Sequence, residues 1–229
     1  MSAPDLLRLL WPWDLLALAL LVISFAGIAR VIEHPPKGRP SVTVLMAEYR
    51  RDWMRMMAAR ETRIFDSQIL TSLRQSTSFF ASTVLLSIGG VLALAGNPAP
   101  LTGLAAGLTE EGDPEVLWQV KLLVVAVLLA LAFLRFVWAN RVFGYCAVVM
   151  ASVPNEVTDP DCEPRALRAA ELNIRAALNF NRGLQAVYYA IAAAAWLVGP
   201  AALVAATVVT TWIVWSREFA SVPRRVILR

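Results

Sequence analysis

Long apolar stretches that are almost free of charge dominate the chain. They run over residues 15–32, 79–95, 116–134 and 184–215. A water-soluble protein of 229 residues could not bury that much contiguous apolar surface in one core. The pattern therefore predicts an all-α fold, a polytopic bundle of transmembrane helices.

The last apolar stretch decides the number of spans. A helix needs about 20 residues to cross the hydrocarbon layer, and this stretch is longer, with the helix-breaking pair Gly199-Pro200 near its middle. A hairpin at this pair predicts five spans in a single integral membrane domain over residues 1–229. A kinked last helix, giving four spans, is the alternative. The five predicted spans cover residues 13–32, 79–96, 116–138, 183–198 and 201–217.

The amino-terminal stretch is expected to remain as the first span. No small-residue cleavage pattern of a signal peptide follows it, whereas Arg30, Lys37 and Arg39 do. Such a basic flank is typical of a helix that stays in the membrane.

The charges in the loops predict the orientation. Residues 30–74 hold nine basic and five acidic side chains, whereas the predicted loop 97–115 holds four acidic and no basic ones. Short cytoplasmic loops are enriched in Arg and Lys. We therefore expect a cell inner-membrane protein with its amino terminus outside, the acidic loop outside and the arginine-rich carboxy terminus in the cytoplasm.

A helix over residues 41–63 is predicted between the first two spans. Pro40 precedes it, Ser41 is a suitable N-cap, and Met46, Trp53 and Met57 recur at helical spacing. Such an amphipathic helix is expected to lie at the cytosolic membrane surface, where the basic residues would contact anionic lipids.

The sequence offers little material for catalysis. His34 is the sole histidine, and Cys146 and Cys162 lack the spacing of a metal site. No phosphate-binding loop or nucleophile elbow is present in the sequence. We expect no enzyme activity, no cofactor and no metal. A net charge of +4 is also too small to indicate a nucleic-acid partner.

A stripe of hydroxyl residues marks the second span. Ser76, Phe79, Thr83 and Ser87 fall on one helical face. Such a face could line a pore, with Phe79 as a constriction, or let another helix pack closely in lipid.

A second candidate site is a polar cluster at the cytosolic ends of the spans. Here Arg182 is expected to pair with an acid such as Asp66 or Glu61, and Gly183 to let the second span approach. The cluster comprises Arg63, Asp66, Arg141, Asn179, Asn181 and Arg182.

Several strings, taken in order, resemble a bacterial and plant membrane-protein family catalogued as domain of unknown function 599. The resemblance extends from about Asp14 to Arg225 and implies a multi-pass membrane protein without an assigned activity, so it carries over no catalytic residue. The strings are W-M-x-x-M-x-x-R-E-x-R-I-x-D-x-Q over 53–68, Phe79 to Thr83, Gly89-Gly90, Trp138 to Arg141, Phe180 to Leu184, Gly199-Pro200, Arg217 to Ser221 and Arg224-Arg225.

The sequence is compatible with two main functions. The first is an oligomeric channel or transporter-like protein for a small ion or polar solute, formed by several copies of the chain. The second is a non-catalytic accessory subunit that binds a membrane-protein partner. An intramembrane enzyme acting on lipids is the least favoured, because His34 would be its sole histidine base and lies in a proline-rich loop.

Overall fold

A computed structural model describes residues 12–97 and 115–228. This part of the chain is helical and contains no strand, so the predicted all-α fold class is confirmed. The helices are α1 (Pro12–Glu33), α2 (Val42–Ala58), α3 (Ile64–Gly96), α4 (Glu115–Ala151), α5 (Cys162–Ala194), α6 (Pro200–Phe219) and α7 (Val222–Ile227), with a 3₁₀ turn (Ala195–Leu197) after α5.

Helices α1, α3 and α4 are each long and apolar enough to cross a membrane. Helix α4 is the best packed of the three, with 44% of its most apolar stretch buried, against 22% for α1 and 6% for α3. The large apolar surface that remains outside the core identifies a membrane protein.

Helices α5 and α6 form a hairpin. Gly199 has φ 147°, a backbone conformation that side chains disfavour, and Pro200 occupies the first turn of α6. The hydroxyl oxygens of Tyr189 and Thr211 lie 2.8 Å apart across the hairpin. In one continuous helix these residues would be about 33 Å apart. The predicted turn at Gly199-Pro200 is therefore confirmed.

Helix α1 packs against this hairpin and runs antiparallel to α5. Asp14 accepts a hydrogen bond from Trp196 at one end, and Glu33 pairs with Arg182 at the other. We call these the Asp14 end and the Glu33 end of the bundle. Between them lies an apolar core that includes Leu21.

Three helices continue past the Glu33 end. With 33 to 37 residues each, α3, α4 and α5 measure about 50–55 Å, whereas the hydrocarbon layer is about 30 Å thick. Their projecting parts pack together with α2 around a second core, which we call the extension. Its buried residues include Met54, Met57, Leu70, Phe143, Cys146 and Ala169.

The structure also refines the predicted bounds. Ser41 is confirmed as the N-cap of α2, since its hydroxyl accepts a hydrogen bond from the Val44 amide. However, α2 ends at Ala58 and not at 63, and its buried Met57 packs on protein in the extension. The helix of the third span runs on from 138 to Ala151. The predicted acidic loop lies outside the described residues, apart from positions 97 and 115.

Candidate functional site

An ion pair joins α1 to α5 at the Glu33 end. Arg182 donates from Nε to Glu33 Oε1 and from Nη2 to Glu33 Oε2, both at 2.5 Å. The Glu33 side chain is only 17% exposed. This two-bond geometry fixes the guanidinium plane, and partial exclusion of water strengthens the attraction.

A second set of hydrogen bonds ties α2 to α6 at the same level. Glu218 accepts from the Thr43 amide (3.0 Å) and from the Thr43 hydroxyl (3.1 Å). Asn181 on α5 donates to that hydroxyl at 3.3 Å. Because Thr43 lies in the first turn of α2, the Glu218 carboxylate also interacts favourably with the amino-terminal end of the helix dipole.

These side chains surround a cavity of about 250 Å³, which we call the chamber. Arg182 and Arg217 contribute two cations to its wall, and Glu33 and Glu218 contribute two carboxylates. Aliphatic side chains form much of the remaining wall. Such a mixed lining is typical of a pocket for a small ligand, with a few polar groups to orient it.

Buried and half-buried polar groups continue from the chamber toward the Asp14 end, between α1, α5 and α6. Gln185 donates to the Phe25 carbonyl at 2.7 Å, and one helical turn further the Tyr189 hydroxyl meets Thr211. Thr211 then donates to the Thr207 carbonyl at 2.7 Å. We call these four side chains, Gln185, Tyr189, Thr211 and Thr207, the polar row.

The polar row contains one unsatisfied group. Within the described residues, the buried hydroxyl of Thr207 has no hydrogen-bond partner. Beyond it, Trp196 Nε1 donates to Asp14 Oδ1 at 2.6 Å, a buried contact at the far end of the same three helices. Polar groups therefore occur at successive levels along this interface, interleaved with the aromatic contact of Phe25 and Tyr189, whose ring centres are 5.4 Å apart.

Comparison with known proteins identifies the family. The family model described as "Protein of unknown function, DUF599" matches residues 16–223, nearly the whole chain. The chain belongs to this family. No curated protein and no solved structure matches it.

In this DUF599 chain, two of the strings that carry the resemblance meet at the chamber. Asn181 and Arg182 belong to the string at 180–184, and Arg217 and Glu218 to the string at 217–221. They are distant in sequence and become neighbours because the α5–α6 hairpin returns the chain to the Glu33 end. The fold thus brings residues of both strings to one cavity.

The members of the predicted polar cluster do not form one group in the structure. Asn181 and Arg182 line the chamber, and Asn179 accepts a hydrogen bond from Arg135 at 3.2 Å. Arg63 and Asp66 lie in the extension. Arg141 lies apart from both groups and donates to the Tyr145 hydroxyl of its own helix at 2.6 Å.

The contacts of Asp66 and Arg63 explain this division. Asp66 is fully buried and accepts from Trp53 Nε1 (2.7 Å) and Arg60 Nη1 (2.5 Å). Arg63 donates to the carbonyls of Val153 and Pro154. The prediction that Arg182 pairs with Asp66 or Glu61 was therefore wrong. Asp66 is already bound by its sequence neighbours, and α1 brings Glu33 to Arg182 instead.

The predicted approach of the second span to Gly183 was also wrong. The helix at this position is α4, the third span, and its Phe136 ring lies directly against Gly183. The second span contributes Phe80, which stacks on the far side of Phe136. Aromatic side chains therefore fill the space that the glycine leaves.

The hydroxyl stripe of α3 faces away from the chain's own core. Ser76, Thr83 and Ser87 are exposed, and Phe79 is 67% exposed. Thr83 and Ser87 donate to carbonyls one turn earlier in α3. One chain therefore does not enclose a path along this stripe.

Glu33, Thr43 and Glu218 were not predicted as site residues. Glu218 directly follows Arg217 in the string at 217–221, and Glu33 is an acid at the end of an apolar helix. Either could have been flagged as a partner for a membrane-end arginine. Which acid meets which arginine depends on the packing of α1 and α6 against α5.

The surroundings of Cys146, a buried cysteine in the extension, disfavour the reactive thiolate form of its side chain. Cys146 Sγ lies 3.3 Å from the Ala169 carbonyl and 3.8 Å from the Asn173 amide nitrogen. Burial raises the pKa of the Cys146 thiol to about 11, and it lowers the pKa of the nearby Arg50 guanidinium. The thiol therefore stays protonated at neutral pH and packs as a small apolar group.

Proposed function

We propose that this membrane protein is transporter-like and binds a small ion or polar solute in the chamber, from which the solute passes along the polar row. The observation that carries the proposal is the continuation of buried polar groups from the chamber through the α1–α5–α6 interface. Ionisable and polar side chains inside membrane spans are costly and often mark solute or proton paths. The path lies within one chain.

Five spans and the charges at the helix ends predict how the chain is oriented in the membrane. With the α5–α6 hairpin crossing twice, both α1 and α6 bring their basic ends to the Glu33 end. Arg30 lies in the last turn of α1, Arg217 in the last turn of α6, and Arg224 and Arg225 in α7. The positive-inside rule then assigns the chamber to the cytoplasmic side of the inner membrane and the amino terminus to the outside.

The contact between Phe25 and Tyr189 supports a closed path above the chamber. Their rings meet edge to face, and Tyr189 is fully buried. Transport would require these rings to separate, which in such proteins occurs as helices rock around a central site. The chamber would then be the cytoplasmic binding position of an alternating cycle.

The exposed stripe of α3 supports a homo-oligomer. Small side chains such as Ser76, Ser87 and Gly90 permit close helix packing in lipid, and this face is not covered by the chain itself. In this proposal the stripe contacts a second copy, and the solute path is elsewhere.

Flux through purified protein in liposomes tests the proposal. Wild-type vesicles should show uptake above protein-free vesicles for at least one probe in a panel of monovalent cations, halides, phosphate and amino acids. Because Thr211 continues the row above the chamber, Thr211→Val should reduce that uptake at least about fivefold. The matched control Thr83→Val changes the same atoms on α3 and should leave uptake near the wild-type value.

Two results would contradict this assignment. If no probe is taken up above the protein-free control, transport of these solute classes is contradicted. Loss of uptake in Thr83→Val with normal uptake in Thr211→Val would place the path at the α3 stripe between copies.

The exposure of α3 also favours the second function, an accessory subunit of a larger membrane complex. Extraction in mild detergent followed by mass measurement separates the two functions. A stoichiometric partner of different mass supports the accessory role, whereas a complex made solely of this chain supports the homo-oligomer.

A further inference from the structure

A second cavity, which shares Glu33 and Arg182 with the chamber, is lined by residues of α1, α4 and α5. It has a volume of about 490 Å³. Arg30, Arg135 and Arg182 line it, together with His34. We call this cavity the lateral cleft.

The charges of the lateral cleft are not balanced. Three arginines and one glutamate line it, and that glutamate is held by Arg182 through two hydrogen bonds. Arg135 donates to the Asn179 amide oxygen, which carries no formal charge. Within the described part of the chain, neither Arg30 nor Arg135 forms an ion pair with a carboxylate. The cleft therefore attracts an anion.

Toward the Asp14 end, the lining of the cleft is mostly apolar, with Gln185 as the polar exception. Phe25 and Ala26 precede Arg30 by about one turn on α1, and Leu131 precedes Arg135 by one turn on α4. On antiparallel α5 the matching position is Ala186, one turn beyond Arg182. Moving from the arginines toward the Asp14 end, the lining thus changes from cationic to apolar on α1 and α4, and to Gln185 and Ala186 on α5.

This order of groups matches a phospholipid better than a soluble ion. A phosphate would lie between Arg30 and Arg135, since guanidinium groups bind phosphate through charge-assisted, often paired hydrogen bonds. A glycerol backbone and acyl chain would continue along Phe25 and Leu131. Basic pockets between spans on the cytoplasmic side are suited to anionic headgroups.

We propose that the lateral cleft is a binding site for the phosphate headgroup of an anionic phospholipid of the cytoplasmic leaflet. Arg30 and Arg135 hold the phosphate, and α1 and α4 flank the first part of the acyl chain. The site is distinct from the chamber, although a shared wall of Ala29, Glu33, Arg182 and Gln185 lines both. A lipid in the cleft would brace that wall from the membrane side.

Native mass spectrometry in a non-ionic detergent tests the site with three probes: phosphatidylglycerol, phosphatidylcholine of the same acyl chains, and inorganic phosphate. We expect one phosphatidylglycerol to stay bound per chain at concentrations where phosphatidylcholine does not. Arg135→Gln should weaken this binding at least about tenfold, and Arg30→Gln with Arg135→Gln should abolish it. Arg135→Lys, which keeps the charge, should retain most of it.

Arg168→Gln is the matched control, because Arg168 is exposed in the extension and its loss changes the net charge equally. It should leave lipid binding unchanged. Circular dichroism with a thermal melt confirms that each variant is folded before lipid is added. Lipid binding is measured without any transport assay. Absence of solute uptake would therefore contradict the proposed function but not the lipid site.

Three outcomes would overturn the lipid site. Equal retention of phosphatidylcholine would show that charge does not select the ligand. Binding of inorganic phosphate as tight as that of phosphatidylglycerol would make the cleft a site for soluble anions. An equal loss of lipid in Arg168→Gln and Arg135→Gln would show a general effect of net charge.

Discussion

Replacing Arg182 with alanine is expected to lower the free energy of unfolding in detergent by about 1–3 kcal/mol. The change leaves the Glu33 carboxylate, which is mostly covered, without its two charge-assisted hydrogen bonds. The Arg182 side chain is 38% exposed, so water screens part of the interaction. The loss should therefore exceed that of a surface pair and remain below that of a fully buried one. Chemical denaturation monitored by circular dichroism measures it.

A double-mutant cycle gives the pair its own test. Glu33→Gln removes the charge that Arg182→Ala leaves behind, so the double variant should be destabilised by less than the sum of the two single changes. Glu61→Gln is the matched control, because Glu61 is exposed and was the partner expected from sequence. Coupling of Arg182 with Glu61, or strictly additive effects of Arg182 and Glu33, would contradict the observed pairing.

Replacing Gly183 with valine is expected to cost about 2–3 kcal/mol of unfolding free energy. A Cβ at this position would lie 2.7 Å from Phe136 Cε1 and 2.9 Å from Cδ1. The ring cannot move aside easily, since it is fully buried and packs against Phe80 and Phe180 with ring centres 5.5 and 5.4 Å away. The substitution therefore forces α4 and α5 apart.

Gly144→Val is the matched control for this effect. Gly144 also lies inside a long helix, but a Cβ there would meet nothing within 4 Å, so its change should stay within about 0.5 kcal/mol. Adding Phe136→Leu to Gly183→Val should recover part of the loss by removing ring atoms from the clash. A Gly183→Val protein as stable as wild type would show that α4 and α5 do not approach as described.

The sequence predicted the helices well because their signals are local. Length and polarity predict that α1 crosses the membrane, and the Gly199-Pro200 pair predicts the hairpin through backbone geometry alone. Ser41 was recognised as an N-cap for the same reason. The extension was missed in part, because Asn140 and Arg141 interrupt the apolar pattern after residue 138 while the helix of α4 continues to Ala151.

The site was predicted less completely because it depends on contacts between distant residues. Asn181 and Arg182 were visible as polar groups at a span end, but their partners Thr43 and Glu33 come from other helices. Asp66 has the charge to pair with Arg182. In the structure, however, its carboxylate accepts hydrogen bonds from the nearby Trp53 and Arg60 instead. The α3 stripe was the clearest periodic signal, yet periodicity cannot tell which face the rest of the chain covers.

Water access to Thr211 most directly tests the claim that the solute path runs between α1, α5 and α6. Thr211→Cys and Thr83→Cys proteins in native membrane vesicles would be treated with a small cationic methanethiosulfonate reagent, and labelling read peptide by peptide in a mass spectrometer. Buried Cys146 serves as the internal unlabelled reference. We expect labelling at position 211 and little at position 83, which faces lipid or a second copy. Labelling at 83 with none at 211 would contradict it.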